Sequence, residues 1–105
     1  MSAEAKITEI FASRSEPPKE ATEPMLRSLL WLKNRNGDGL FDRNGVLVAG
    51  GERAGVMRAT WNKLQALGLV EFYHDRRRLR VTPYGRQVNL NKYREADSAA
   101  ERWER

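Results

Sequence analysis

Apolar and polar positions divide the chain into a short series of segments. Ile7, Ile10 and Phe11 fall at i, i+3 and i+4, so residues 3–13 read as a short amphipathic helix. Three apolar residues do not hold so short a helix in isolation, so it needs a surface to dock on, such as a second subunit. Residues 14–24, RSEPPKEATEP, read as a linker, because paired prolines exclude helix. Thr22 or Glu23 followed by Pro24 marks a helix start. Met25, Leu26, Leu29, Leu30, Trp31 and Leu32 make the next segment strongly apolar, with Leu26, Leu29, Leu30 and Lys33 on one face. This helix is expected to stop near Asn34–Gly37.

Residues 36–45, NGDGLFDRNG, are turn-rich. Asn34, Asn36 and Asp38 before Gly39 imitate the start of a calcium loop, but the twelfth position, which must supply a bidentate carboxylate, is Gly45. A glycine-rich turn is the better reading. Residues 46–51, VLVAGG, fit a buried strand or a short helix equally, since periodicity does not resolve so short a run. Residues 53–67 form the best helical pattern, with Met57, Trp61 and Leu64 on one face and Gly68 as the stop. Leu69–His74 alternates as a strand, Asp75-Arg76-Arg77 reads as a turn, and Arg78–Thr82 alternates again: a β-hairpin. Thr82-Pro83 starts another helix. It runs through Val88 and Leu90, and Tyr93, Ala96, Ala100 and Trp103 extend its spacing toward the end.

With 105 residues the chain is one domain. It divides into an arm and linker (1–23), a folded unit (24–91) and a C-terminal helical extension (92–105). The hydrophobic share of 40% is low for a compact domain, which fits a chain that is partly tail. There is no cysteine and a single histidine, which removes disulfides, thiolate chemistry and most zinc and acid–base sites. No run approaches a membrane span and Met1-Ser-Ala-Glu is not a signal peptide, so the expectation is a cytoplasmic protein with no membrane partner.

Charge is strongly segregated. The net charge is +5, yet Arg53 to Arg94 holds ten basic residues against Glu71 and Asp75 alone. That stretch therefore carries +8 and the remainder −3. A solvated surface normally mixes its signs, so this pattern points to a polyanion, with nucleic acid the leading candidate.

The order helix, undefined segment, helix, hairpin, helix resembles the winged helix-turn-helix domain of MarR-like and PadR-like bacterial regulators. The residues that carry the resemblance are Val56-Met57 through Trp61, Leu64 and Ala66-Leu67-Gly68-Leu69-Val70. They are followed by Arg77-Arg78-Leu79-Arg80-Val81-Thr82-Pro83-Tyr84-Gly85-Arg86. In that family a recognition helix ends in Leu-x-x-x-Gly-Leu-Val, and a wing closes in Arg-x-x-Leu-Thr-Pro-x-Gly-Arg. The match covers about residues 53–90. Val46–Glu52 departs from it, having no normal second helix.

The resemblance implies an α+β, mainly helical fold: a three-helix core, a two-stranded wing and a C-terminal helix. It implies a non-enzymatic protein that binds double-stranded DNA, a small bacterial or phage transcriptional regulator. Such a protein would dimerise through the N-terminal arm, the C-terminal helix or both, and needs no cofactor or metal. The recognition helix would be 53–67 and the basic wing 71–82. The expected DNA-binding residues are Arg53, Arg58, Asn62, Lys63, Arg76, Arg77, Arg78, Arg80 and Arg86. Asn62 suits adenine edges, and Arg58 suits guanine or a phosphate. Gly55 and Ala59 permit close approach but supply no reading groups, so base readout is expected to be modest. The arginines of the wing tip suit phosphates or a narrow minor groove. Trp31 and Trp61 read as core, Tyr84 as packing at the wing's base, Trp103 as an interface residue and His74 as a surface or phosphate-contacting residue. Two other functions fit the same elements. One is a protein-interaction module acting as adaptor or inhibitor; the other is a replication or mobile-element accessory protein.

Overall fold

Helix α1, Glu23–Lys33, begins at the Thr22–Pro24 signal. Thr22 Oγ1 accepts from the Met25 amide at 3.4 Å, Pro24 occupies the first turn, and the end charges Glu23 and Lys33 suit the helix dipole. A computed structural model describes residues 16–98 of the chain. The predicted arm helix 3–13 and Trp103 lie outside the described residues.

After α1 the chain builds strands. β1 (Asp38–Phe41), β2 (Leu47–Ala49) and β3 (Glu52–Arg53) form a meander, helix α2 (Arg58–Ala66) follows, and β4 (Val70–Tyr73) and β5 (Arg78–Val81) form the hairpin. Helix α3 (Pro83–Gln87) closes the series. All five strands join one antiparallel sheet in the order β3-β2-β1-β5-β4. The expectation of a mainly helical winged-helix core is therefore corrected. The fold is a small α+β unit of three helices and a five-stranded sheet. The turn-rich stretch 36–45 contains a strand because Gly39 and Leu40 pair with Leu79 and Arg78, residues remote in sequence. In the open segment 46–51, Leu47–Ala49 is strand and Gly50-Gly51 is a turn, with no helix.

Strand alternation sorts the sheet into two faces. Leu47, Ala49, Val70, Leu79 and Val81 are buried on one face. There they meet Leu26, Leu29, Trp31 and Leu32 of α1 and Trp61 and Leu64 of α2 in a single core. Gly39 lies on this face, where a Cβ would come within 2.8 Å of the Val48 carbonyl and 2.9 Å of Leu47 Cδ1. The other face bears Asp38, Leu40, Val48, Arg53, Glu71, Tyr73, Arg78 and Arg80, none of them buried.

Two helix boundaries differ from expectation. The segment 53–57 is not helical: Arg53 is in β3, and the Ala54 amide donates to the Leu47 carbonyl at 2.8 Å. Met57 is thus the residue before α2 and is 67% exposed, while Trp61 and Leu64 are buried as expected. The last helix is short. Thr82 caps it by accepting from the Gly85 amide at 3.0 Å, but Val88 turns extended (ψ 134°), and residues 92–98 are not helical. Leu90, Tyr93 and Ala96 still pack on the core. They do so as a strap, held by the bond from the Ala96 amide to the Arg27 carbonyl and by the Arg27 guanidinium on the carbonyls of Arg94 and Glu95. Among the described residues, no helix is long and apolar enough to cross a membrane.

Candidate nucleic-acid interface

The hairpin tip is a backbone conformation that most side chains avoid. Strand pairing ends at Tyr73↔Arg78, leaving a four-residue turn in which His74, Asp75 and Arg76 have φ of 57°, 59° and 63°. His and Asp enter this left-handed region more readily than most residues, whereas Arg76 gains nothing from it locally. Helix α2 supplies what holds it. Arg58 Nη2 donates to the Arg76 carbonyl at 2.6 Å, and Arg76 Nη2 donates to Asn62 Oδ1 at 3.1 Å. Arg58 and Asn62 are one turn apart on α2, so a single helix face grips the tip.

Beneath these bonds lie two rings that sequence reading did not single out. Phe41 and Phe72 stack with centroids 5.6 Å apart and planes 11° apart. The Arg58 guanidinium lies 4.2 Å from the Phe41 centroid, and that of Arg76 lies 4.1 Å from Phe72. Cation–π contact of this kind contributes about 0.5–1 kcal/mol at exposed sites. The alternation Val70–Phe72 on the hairpin's inner face was a readable signal for Phe72. Phe41 sits among turn residues and had none.

The nine predicted DNA-binding residues fall in separate places. Arg58, Asn62 and Arg76 come together, and Lys63 and Arg77 are exposed on α2 and the tip respectively. Arg58, Lys63, Arg76 and Arg77 form no ion pair among the described residues, and Asp75 is the one carboxylate of the tip. Arg78 and Arg80 point to the open sheet face and are engaged there. Arg78 Nε donates to Tyr73 Oη at 2.9 Å, and its Nη2 is 3.5 Å from Asp38. Tyr73 Oη in turn lies 2.8 and 2.7 Å from the two Asp38 oxygens. Arg80 Nε pairs with Glu71 Oε2 at 2.6 Å. Tyr73 and then Asp38 raise the pKa of Arg78, and the Glu71 bond does the same for Arg80. Arg53, expected on the recognition helix, is at the β3 edge and pairs with Asp42 at 3.2 Å. Arg86 is exposed on α3, its guanidinium against Gly37 and its carbonyl bonded by Lys33 Nζ at 3.3 Å.

A second charged cluster went unread in the sequence. Arg35 lies over the Trp31 ring at 4.6 Å, pairs with Glu52 at 2.8 Å and bonds Glu95 of the strap. Burial pulls its pKa down, but the bonds to Glu95 and Glu52 outweigh that and raise it. Trp31 Nε1 donates to Ser98 Oγ at 2.9 Å, and Ser98 Oγ donates to Glu52 Oε1 at 2.6 Å. The Ser98 and Arg35 bonds hold the Glu52 carboxyl below its usual pKa. The adjoining cleft, about 440 Å³, is lined by Arg35, Glu52, Arg94, Glu95 and Ser98 among others. Glu52 and Glu95 are both committed to Arg35, so the cluster fastens the strap to the sheet edge. Among the described residues, no group of three or more His, Asp or Glu is placed to hold a metal ion. No family model, curated protein or solved structure matches the chain.

Proposed function

We propose that the chain binds double-stranded DNA through the edge formed by α2 and the tip of the β4–β5 hairpin. The observation that carries this reading is the state of its cations. Arg58 and Arg76 stand together, Lys63 and Arg77 are exposed on the same two elements, and none of the four has a carboxylate partner among the described residues, while Arg78, Arg80 and Arg53 are paired. Unpaired cations on one edge are what a polyphosphate neutralises most favourably, because no internal ion pair must first be broken. The duplex form is favoured because guanidinium groups already occupy Phe41 and Phe72. Single-strand binders need such rings free to stack on bases.

The test is binding to a random-sequence duplex, followed by fluorescence anisotropy between about 50 and 200 mM salt. Four phosphate contacts predict a fall of log K with log salt of slope about −3 to −4. Absence of binding at the low end, or binding indifferent to salt, would overturn the reading and favour a protein partner.

A further inference from the structure

We propose that this edge takes the phosphodiester backbone as its ligand through Arg58 and Arg76, and that Asn62 acts as a positioning residue for Arg76 rather than as a reader of bases. The first part rests on the DNA-binding reading; the second stands on the free protein as well.

Side-chain amides recognise adenine with both ends: the carbonyl accepts from N6 and the amino group donates to N7. Asn62 has only one end to offer. Its Oδ1 accepts from Arg76 Nη2, and a guanidinium can only donate, so the oxygen must be the atom that faces Arg76. Turning Asn62 toward a base would release Arg76, whose left-handed backbone (φ 63°) would then rest on the Arg58 bond to its carbonyl.

The arginines are arranged for the opposite purpose. Each guanidinium carbon lies over a phenylalanine ring, at 4.2 Å for Arg58 and 4.1 Å for Arg76. A contact with a ring uses none of the five N–H donors of a guanidinium. One hydrogen bond from each is directed to the protein. The remaining donors of the two forks match phosphate oxygens, and their geometry is set before a ligand arrives.

The experiment compares wild type, Asn62→Ala, Arg76→Ala and the double variant on a random-sequence duplex pool, with bound molecules sequenced. Asn62 is exposed and alanine favours helix, so folding is not at stake. Asn62→Ala is expected to weaken binding about threefold, the effect of one modest hydrogen bond, with the sequence profile of bound molecules unchanged. In the Arg76→Ala background it should have no further effect. A profile that flattens at any position, or a loss that persists without Arg76, would overturn the proposal. Amide exchange in the free protein gives a readout that needs no DNA. Asn62→Ala should speed exchange at residues 74–77 of the tip, and unchanged exchange would overturn the positioning role. Failure of wild type to bind DNA would sink the phosphate assignment and the functional reading together, while the exchange result still decides the role of Asn62.

Discussion

The open sheet face and the α2–hairpin edge are both rich in arginine, and they differ in what those arginines meet. On the sheet face, Arg78 and Arg80 are interleaved with Asp38, Glu71 and the Tyr73 hydroxyl. At the edge, Arg58 and Arg76 meet rings, a carbonyl and an amide. A basic stretch of sequence is thus two surfaces, one close to neutral and one with its charge unspent. Along the chain Arg76, Arg77 and Arg78 are consecutive, and the strand pleat alone sends Arg78 to the neutral side.

Both surfaces hang from the β4–β5 hairpin, so the largest effect comes from loosening its base. A Cβ on Gly85 would stand 2.2 Å from the Leu69 carbonyl oxygen and 2.8 Å from Val81 Cγ1, at the point where α3 abuts both strands. Neither is the free end of a flexible side chain. Gly85→Ala is expected to cost about 3 kcal/mol in equilibrium urea unfolding. A variant within about 1 kcal/mol of wild type would mean that α3 is not needed to hold the hairpin.

The next effect separates the two surfaces. Arg58→Ala with Arg76→Ala should weaken duplex binding about 10- to 100-fold near physiological salt and flatten the salt slope by about two. Arg78→Ala with Arg80→Ala removes the same formal charge but releases Asp38 and Glu71, so the loss should stay within about threefold at higher salt, where long-range charge is screened. Equal losses from the two pairs would show that charge count, not pairing, governs binding.

The parts of this arrangement that were legible in the sequence are those written locally. Thr22–Pro24, Gly68 and Thr82–Pro83 announce helix ends through capping and fixed backbone angles, and the alternation on either side of Asp75–Arg77 announces the hairpin. The register was not: a turn of Asp75–Arg77 alone would set Glu71 opposite Val81, whereas His74 joins the turn and Glu71 faces Arg80. The strands β1, β2 and β3 are four, three and two residues long, and their partners lie partly across the chain. Nothing near Leu40 or Phe41 distinguishes a strand from a turn. Residues 90–98 failed for a different reason. Leu90, Tyr93 and Ala96 recur every three positions, a spacing that fits a helix but also a strap whose carbonyls are satisfied by Arg27. Arg58, Asn62 and Arg76 were legible as candidates by type, whereas their mutual bonds required the tip to fold back on α2.

The smallest effect converts one surface into the other. Asp38→Asn and Glu71→Gln together keep the side-chain shapes of the sheet face and remove its two carboxylate charges beside Arg78 and Arg80. The Tyr73 hydroxyl keeps an acceptor in the side-chain carbonyl of the substituted position 38, and the β4–β5 and β1–β5 backbone pairing is untouched. Two arginines that were neutralised would then add to the field of the molecule. Duplex affinity at low salt should rise about two- to fivefold, with a steeper salt slope, as added cations strengthen non-specific attraction to DNA. The gain should persist in the Arg58→Ala/Arg76→Ala background, because it arises on a different face. If instead the double acid variant binds no better than wild type, Asp38 and Glu71 do not mask Arg78 and Arg80, and the distinction between a spent and an unspent surface fails.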